Sequence, residues 1–279
     1  MDNLFTGILS AAKATRTAAA AINTINHSTT IAIVRAAERA GRDVIIQPST
    51  GTVTAYGVQG MLRMIDAVRK DASVRVSLHL DHCRDEALAK RCVDAGWDSV
   101  MVDYSALPYE QNVAKTRAMV EYAHARNVTV EGEIGVIAGV EDDIQSEHST
   151  LATFEDTMRF VSETGIDAVA PAIGTAHGVY KTAPKLNFEL VERFGGEAIP
   201  LVVHGGTGLT AEVFRRLIQL GAAKVNISTA LKKIYLGTSR TLLADEKAAP
   251  VEFDTAVRKA CEDEMVRYIA LFGGVSETL

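Results

Sequence analysis

Residues Ser77-Leu-His-Leu-Asp-His82 decide how the rest of the chain is read. Leading into them, Val74, Val76, Leu78 and Leu80 alternate with Arg75, Ser77, His79 and Asp81, which is the period of a strand. On that alternation Asp81 shares a face with His79, and His82 faces away. Histidine and aspartate are poor strand residues. The spacing therefore predicts a buried strand over 74–80 whose carboxyl end turns Asp81 and His82 into a site. An acid and an imidazole placed there suit a proton donor and a metal ligand. The competing reading is a capped helix, with Asp81 or Asp85 satisfying the first amides of a helix that starts near Arg84.

Outward from this stretch the chain alternates strand and helix. A helix over 3–15 places Leu4, Ile8, Leu9 and Ala12 on one face. Strands are expected over 18–23, 44–47, 99–102, 128–134, 168–173, 199–203 and 224–227. Glu131 and Glu133 share a face of the fifth strand. Between the strands lie helices over 28–40 (capped by Ser28, stopped by Gly41), 59–70, 84–95, 109–126, 154–164, 187–194 and 210–220. From Thr229 the chain reads as helical to about 271. Eight short apolar strands separated by helices predict an α/β fold, a (β/α)8 TIM barrel. It carries an added amino-terminal helix and a carboxyl-terminal helical extension, in one domain over 1–279. A doubly wound open sheet is the competitor, but the first strand is followed by no Gly-x-Gly-x-x-Gly turn.

Composition narrows the function classes. The chain has 279 residues, 47% of them hydrophobic, enough for a large core. A net charge of −6 with no basic run argues against nucleic acid. Cys83, Cys92 and Cys261 form no CxxC pair, which suits a reduced cytosol. The amino terminus shows no basic region followed by an apolar core, so no signal peptide is expected. No apolar run reaches the roughly 18 residues that span a bilayer.

The reactive-looking polar residues fall at expected strand ends: Asp81 and His82, Asp103, Glu133, His177, His204 and Asn226. In a barrel that end carries the active site. His27, His124 and His148 read as surface residues, and His79 as a structural residue in or beneath the barrel. His82, His177 and His204 each follow an apolar strand, and three imidazoles with an open position make a catalytic zinc set. Spacing alone leaves a metal undecided. Gly174-Thr-Ala-His-Gly178 and His204-Gly-Gly-Thr-Gly208 let backbone approach a ligand. Asn226-Ile-Ser-Thr229 opens a helix after the last strand, where barrels often bind phosphate. Any one of these alone reads as a tight βα turn; all three beside histidines favour the phosphate site.

Taken together, Leu78-His-Leu-Asp-His82, Glu131-Gly-Glu-Ile-Gly135 with Gly139-Val-Glu-Asp142, Ile173-Gly-Thr-Ala-His-Gly178, Val203-His-Gly-Gly-Thr207 and Lys224-Val-Asn-Ile-Ser-Thr229 resemble the class II, metal-dependent ketose-bisphosphate aldolases. The similarity runs through the whole chain and is greatest to the fructose- and tagatose-bisphosphate branches. It implies a β/α barrel that reversibly cleaves a ketose 1-phosphate or 1,6-bisphosphate into dihydroxyacetone phosphate and an aldehyde. It implies His82, His177 and His204 as Zn2+ ligands, with Glu133 offering an alternative metal position. Asp81 then serves the aldehyde oxygen as acid, and Glu141, on a mobile loop, is the base toward dihydroxyacetone phosphate. Gly178, Gly205, Gly206, Thr207, Asn226, Ser228 and Thr229 match phosphate- and ketone-binding positions, and Asn23 and Ser49 join them as substrate-binding candidates. Gly178 and Gly205 also match positions near a monovalent cation in some members. A cytoplasmic homo-oligomer, dimer or tetramer, without membrane or nucleic-acid partners is expected.

Chemistry supports the residue types. A Lewis-acid metal, a loop carboxylate and a separate acid suit carbon–carbon cleavage beside a ketone. The Schiff-base alternative needs a strand lysine, and Lys224 begins its strand, at the wrong end; Lys181 reads as a ligand-contacting or surface residue. Two departures concern the substrate. Ser228 stands where fructose-bisphosphate members usually carry aspartate, and Ala249-Pro250-Val251 stands where many carry Asp-Pro-Arg; Arg258 is the candidate replacement. A non-catalytic sugar-phosphate-binding barrel or partner subunit is the alternative from another class. A metal-dependent hydrolase barrel lacks its His-x-His entry motif here.

Overall fold

A computed structural model describes residues 3–141, 144–146, 150–178, 184–245, 247 and 249–275, with backbone alone at 138–141, 144–146 and 177. Its strands are β1 (Ala19–Asn23), β2 (Val44–Gln47), β3 (Val76–Cys83), β4 (Ser99–Val102), β5 (Thr129–Ile134), β6 (Ala138–Glu141), β7 (Ile144–Ser146), β8 (Ala168–Pro171), β9 (Ala176–His177), β10 (Leu201–Val203) and β11 (Ala222–Ile227). Its helices are α1 (Leu4–Ala14), α2 (His27–Ala40), α3 (Thr50–Tyr56), α4 (Val58–Arg69), α5 (Glu86–Asp94), α6 (Tyr109–His124), α7 (Phe154–Thr164), α8 (Phe188–Phe194), α9 (Ala211–Leu220), α10 (Thr229–Leu242) and α11 (Pro250–Phe272).

Eight strands close a parallel barrel in the order β1-β11-β10-β8-β5-β4-β3-β2, which is the expected TIM barrel. The alternation of each strand sorts its side chains. Outward residues such as Ala20, Ile22, Leu78, Leu80, Val225 and Ile227 join the helices in the main apolar cluster. Inward apolar residues Ala19, Ala21, Ile45, Ala168, Ala170 and Val202 form a second cluster with Phe5, Ile8 and Leu9 of α1. The added helix is thus the floor of the barrel. Asn3 caps it, accepting from Phe5 N, and its amide donates to Asp98 O and Asn127 O. A fully buried side chain like Phe5 contributes about 1.5–3 kcal/mol.

Several expectations shift. The third strand runs through Asp81 and His82 to Cys83 rather than ending near Leu80. Its register with β4 slips between Leu80 and Cys83, and His82 sits at φ +42°. This bulge turns His82 off the simple alternation. Asn26, not Ser28, caps α2, in a capping box with Thr29; the Ser28 hydroxyl instead donates to Asp254 Oδ1 on α11. The Ser49 side chain caps α3, a helix absent from the sequence reading. The expected terminal helix is two, α10 and α11, and α11 packs lengthwise on α2, with Arg39 paired to Glu262 and Asp263. The segment expected as a loop bearing Glu141 contains strands: β6 pairs antiparallel with β7 and parallel with β9.

Candidate active site at the carboxyl ends of the strands

The polar side chains on the inner face of the barrel lie in two layers. His79, Glu131 and Lys224 form the lower one; two residues further along the same three strands stand Asp81, Glu133 and Asn226. All six are buried.

In the upper layer His82, Glu133 and His204 each offer one ligand atom, and these atoms lie within 4.8 Å of one another. His204 Nδ1 is 2.6 Å from His82 Nε2 and 3.8 Å from Glu133 Oε2; His82 Nδ1 is 3.7 Å from Glu133 Oε2. Glu133 Oε2 accepts no hydrogen bond among the described residues, while Ser105 Oγ lies 3.1 Å from Glu133 Oε1. A buried carboxylate oxygen left over beside two imidazoles could hold a metal ion. The third expected ligand, His177, lies on β9, where it pairs with Gly139; its side chain falls outside the described residues. The segment nevertheless reaches the site, because Ala176 packs directly over Gly205, the residue after His204.

The titratable groups at the centre perturb one another strongly. Burial opposes protonation of His82, yet Asp81, Asp103 and Glu133 surround it and raise its pKa to about 10. Burial and the neighbouring His82 lower His204 to about 3. Burial and the Asp103 carboxylate hold Glu133 well above the usual carboxylate range. Burial would raise Asp103 too, but His82, Ser105 and Arg84 bring it below that range. Arg84 donates to Asp103 Oδ2 at 3.1 and 3.2 Å, so Asp103 at the end of β4 serves as a brace beside His82.

Asp81 is held on both oxygens. Asn23 Nδ2 donates to Oδ2 at 2.7 Å, and Asn226 Nδ2 to Oδ1 at 3.3 Å. Gln47 Nε2 in turn donates to Asn23 Oδ1 at 2.9 Å, fixing that amide. Asn23 thus orients the acid from the end of β1. Ser49 bridges to Asp81 through its backbone, and its hydroxyl is used by α3. Gly178, Gly205 and Gly206 line the segments after β9 and β10, the first two with φ of +89° and +70°. Thr207 follows them half-buried. Ser228 and Thr229 open α10, and the Ser228 Oγ and Asn226 Oδ1 atoms are buried without a hydrogen bond among the described residues. Glu141 lies on β6, and its side chain falls outside the described residues, as do Asp142, His148 and Lys181.

The alternation did not reveal Gln47, Arg84 or Ser105 as partners of the site, because each acts across strands. Lys224 is the clearest displacement from expectation. It lies inside the barrel, wholly buried, donating to Glu131 Oε1 at 3.1 Å and Oε2 at 2.8 Å. An ammonium committed to a carboxylate in this way is no Schiff-base nucleophile.

Comparison with known proteins shows the family. The family model described as fructose-bisphosphate aldolase class-II matches residues 3–277. A fructose-bisphosphate aldolase of Geobacillus stearothermophilus is 40% identical over 228 residues, 80% of this chain and 79% of that protein. One from Staphylococcus aureus is 35% identical over 257 residues, 90% of each chain. A solved structure from Coccidioides immitis, described as a "putative fructose-1,6-biphosphate aldolase", superimposes with a TM-score of 0.91 at 32% identity, covering 99% of this chain and 98% of that one.

Proposed function

From the premise that the chain belongs to the class-II fructose-bisphosphate aldolase family, we propose a metal-dependent site in which His82, His204 and His177 hold Zn2+, with Glu133 as an alternative ligand. The protein is a lyase that reversibly cleaves a ketose phosphate into dihydroxyacetone phosphate and an aldehyde. The observation that carries the site reading is the buried His82–Glu133–His204 cluster beside an aspartate gripped by two amides. When bound, the metal supplies Lewis acidity to the substrate ketone, countering the negative charge that develops as the carbon–carbon bond breaks.

The remaining work belongs to the chain's own groups. Asp81, fixed by Asn23 and Asn226, removes the hydroxyl proton during cleavage and returns it to the aldehyde oxygen during condensation. Glu141, at the end of β6, exchanges the proton on the carbon of dihydroxyacetone phosphate; the pairing of Gly139, in the same strand, with His177 supports this role. The buried Ser228 hydroxyl, the first turn of α10 and the backbone around Gly178, Gly205 and Gly206 receive the phosphate, with Thr207 and Thr229 at its edge. Ser49, bridged to Asp81 through its backbone, is a further substrate contact in this reading. A monovalent cation near Gly178 and Gly205, a homo-oligomeric assembly, a cytoplasmic location and a single domain over 1–279 belong to the same reading. No described helix is long and apolar enough to cross a membrane.

A coupled assay of dihydroxyacetone phosphate release from a panel of ketose phosphates, before and after chelation and metal return, tests this reading. Undiminished release after exhaustive chelation defeats the metal assignment.

A further inference from the structure

The lower layer of the barrel contains three ionisable side chains that the reaction does not use. His79, Glu131 and Lys224 are fully buried. Removing a carboxylate and an ammonium from water is costly, and an apolar pair of the same volume usually serves stability as well or better. Their placement points elsewhere. Glu131 Oε1 lies 2.9 Å from His204 Nε2, the ring nitrogen opposite the one that faces His82 and Glu133. Lys224 Nζ contacts both oxygens of the same carboxylate. His79 closes the layer from β3: its Nδ1 is 3.0 Å from Ser99 Oγ, its Nε2 is 3.5 Å from Lys224 Nζ, and its ring stacks on Phe5 of the floor helix at 4.9 Å.

We propose that Glu131 and Lys224 are positioning residues for the metal ligand His204: Glu131 holds the far nitrogen of its ring, and Lys224 fixes the carboxylate that does so. The inference rests on the metal reading above. It explains why β5 carries glutamate at both 131 and 133. The upper carboxylate faces the metal centre, and the lower one aims a ligand at it. It also explains a lysine near the start of β11, where it is of no use as a nucleophile. With the ring held at Nε2, Nδ1 is the nitrogen presented to the ion. Partners of this kind commonly change metal affinity or activity by about 10–100-fold when removed.

The test is the double variant Glu131→Gln with Lys224→Met, which removes both charges at nearly constant volume. Zn2+ affinity is read by competition with a chromophoric chelator, and the melting temperature of the metal-free chain and the separate kcat and KM are also measured. Expected are a metal affinity lower by about 10–100-fold, a fall in kcat with KM little changed, and an unchanged or higher metal-free melting temperature. A double variant that folds and keeps wild-type metal affinity and kcat overturns the proposal, leaving the pair as packing alone. Should the double variant not fold, Glu131→Asp decides. It preserves the charge opposite Lys224 but draws the oxygen back from His204, so unchanged metal affinity in it overturns the proposal and a loss upholds it. A wild-type chain that takes up no Zn2+ defeats the metal reading and this inference with it. Wild-type uptake with unaltered variants defeats only the inference.

Discussion

Gly205→Ala tests how closely the histidine-bearing segments must approach. Gly205 sits at φ +70°, and a Cβ there would meet Ala176 O at 2.5 Å, Ala176 C at 2.7 Å and Ala176 N at 3.0 Å. Left-handed backbone costs an L-residue about 1–2 kcal/mol. The steric part cannot be relieved by rotating a side chain, because every clashing atom is backbone. Reaching the ~3.5 Å at which such contacts become favourable requires the two segments to part by roughly 1 Å. Ala176 precedes His177 and Gly205 follows His204, so the movement separates two of the assigned ligands. Metal–ligand distances tolerate only about 0.2 Å. Gly205→Ala should therefore weaken Zn2+ binding at least as much as loss of an outer partner does, about 10–100-fold. It should also destabilise the metal-free chain by about 1–3 kcal/mol.

The assay is chelator competition for affinity together with denaturant unfolding of the metal-free protein. Gly206→Ala is the control. Its Cβ would meet Asn226 O at 3.1 Å, Phe214 Cε1 at 3.2 Å and Ile227 Cδ1 at 3.4 Å, without a left-handed φ. It should cost less in both measurements. Wild-type affinity in Gly205→Ala, or an equal loss in both variants, refutes the account of how the segments are locked.

Four further outcomes are expected. His204→Ala should lose most bound metal and turnover together, measured by metal analysis and the cleavage assay, if it is one of the three proposed histidine ligands. Glu141→Ala should slow deuterium exchange at the carbon of dihydroxyacetone phosphate, whereas Asp81→Ala should leave exchange measurable and slow cleavage by roughly 10²-fold or more; equal loss of exchange in both contradicts the division of labour. Val251, 78% exposed, stands where an arginine is expected, and Arg258 lies 3.5 Å from Asp254, so a distal phosphate is expected to lack a bidentate arginine from α11. Preference for fructose or tagatose 1,6-bisphosphate over a ketose 1-phosphate, as kcat/KM, should then stay below about 10³-fold, since one charge-assisted contact contributes about 1.5–3 kcal/mol. Gly237→Ala, inside α10 with open space where a Cβ would go, should stabilise the chain by about 0.5–1 kcal/mol, read as a higher denaturant midpoint.

What the sequence made legible follows from what its patterns encode. Near-continuous apolar strands between helices are a local signal, so the barrel and the stop Gly41 can be read directly, whereas the cap assigned to Ser28 falls to Asn26. Alternation also placed Glu131 and Glu133 on one face, and His79 and Asp81 on another. It failed at His82, because a bulge with a left-handed residue breaks the period on which the rule depends. It was blind to β6, β7 and β9, strands of four, three and two residues that exist only through one another. And it gave Lys224 a face without a partner. The carboxylate that explains it is 93 residues away, on a strand that meets β11 only across the barrel interior.

The distribution of unmet polar atoms completes the argument for where chemistry happens. Gln47 Oε1, Tyr104 Oη, Glu133 Oε2, Thr175 Oγ1, Asn226 Oδ1 and Ser228 Oγ are buried without a hydrogen bond among the described residues and lie at or just beyond the carboxyl ends of barrel strands; Trp97 Nε1, ahead of β4, departs from this pattern. Each such atom costs roughly 1–3 kcal/mol relative to a satisfied one. One layer below, Glu131 and Lys224 engage each other completely. The same interior therefore satisfies its charges where nothing binds and leaves acceptors open two residues higher. A fold indifferent to ligands would gain stability by closing that upper layer with the alanines and valines that β1, β8 and β10 use at the floor. Its polarity is intelligible as affinity held for a metal and a phosphorylated substrate, and binding them returns the stability that the open layer forgoes.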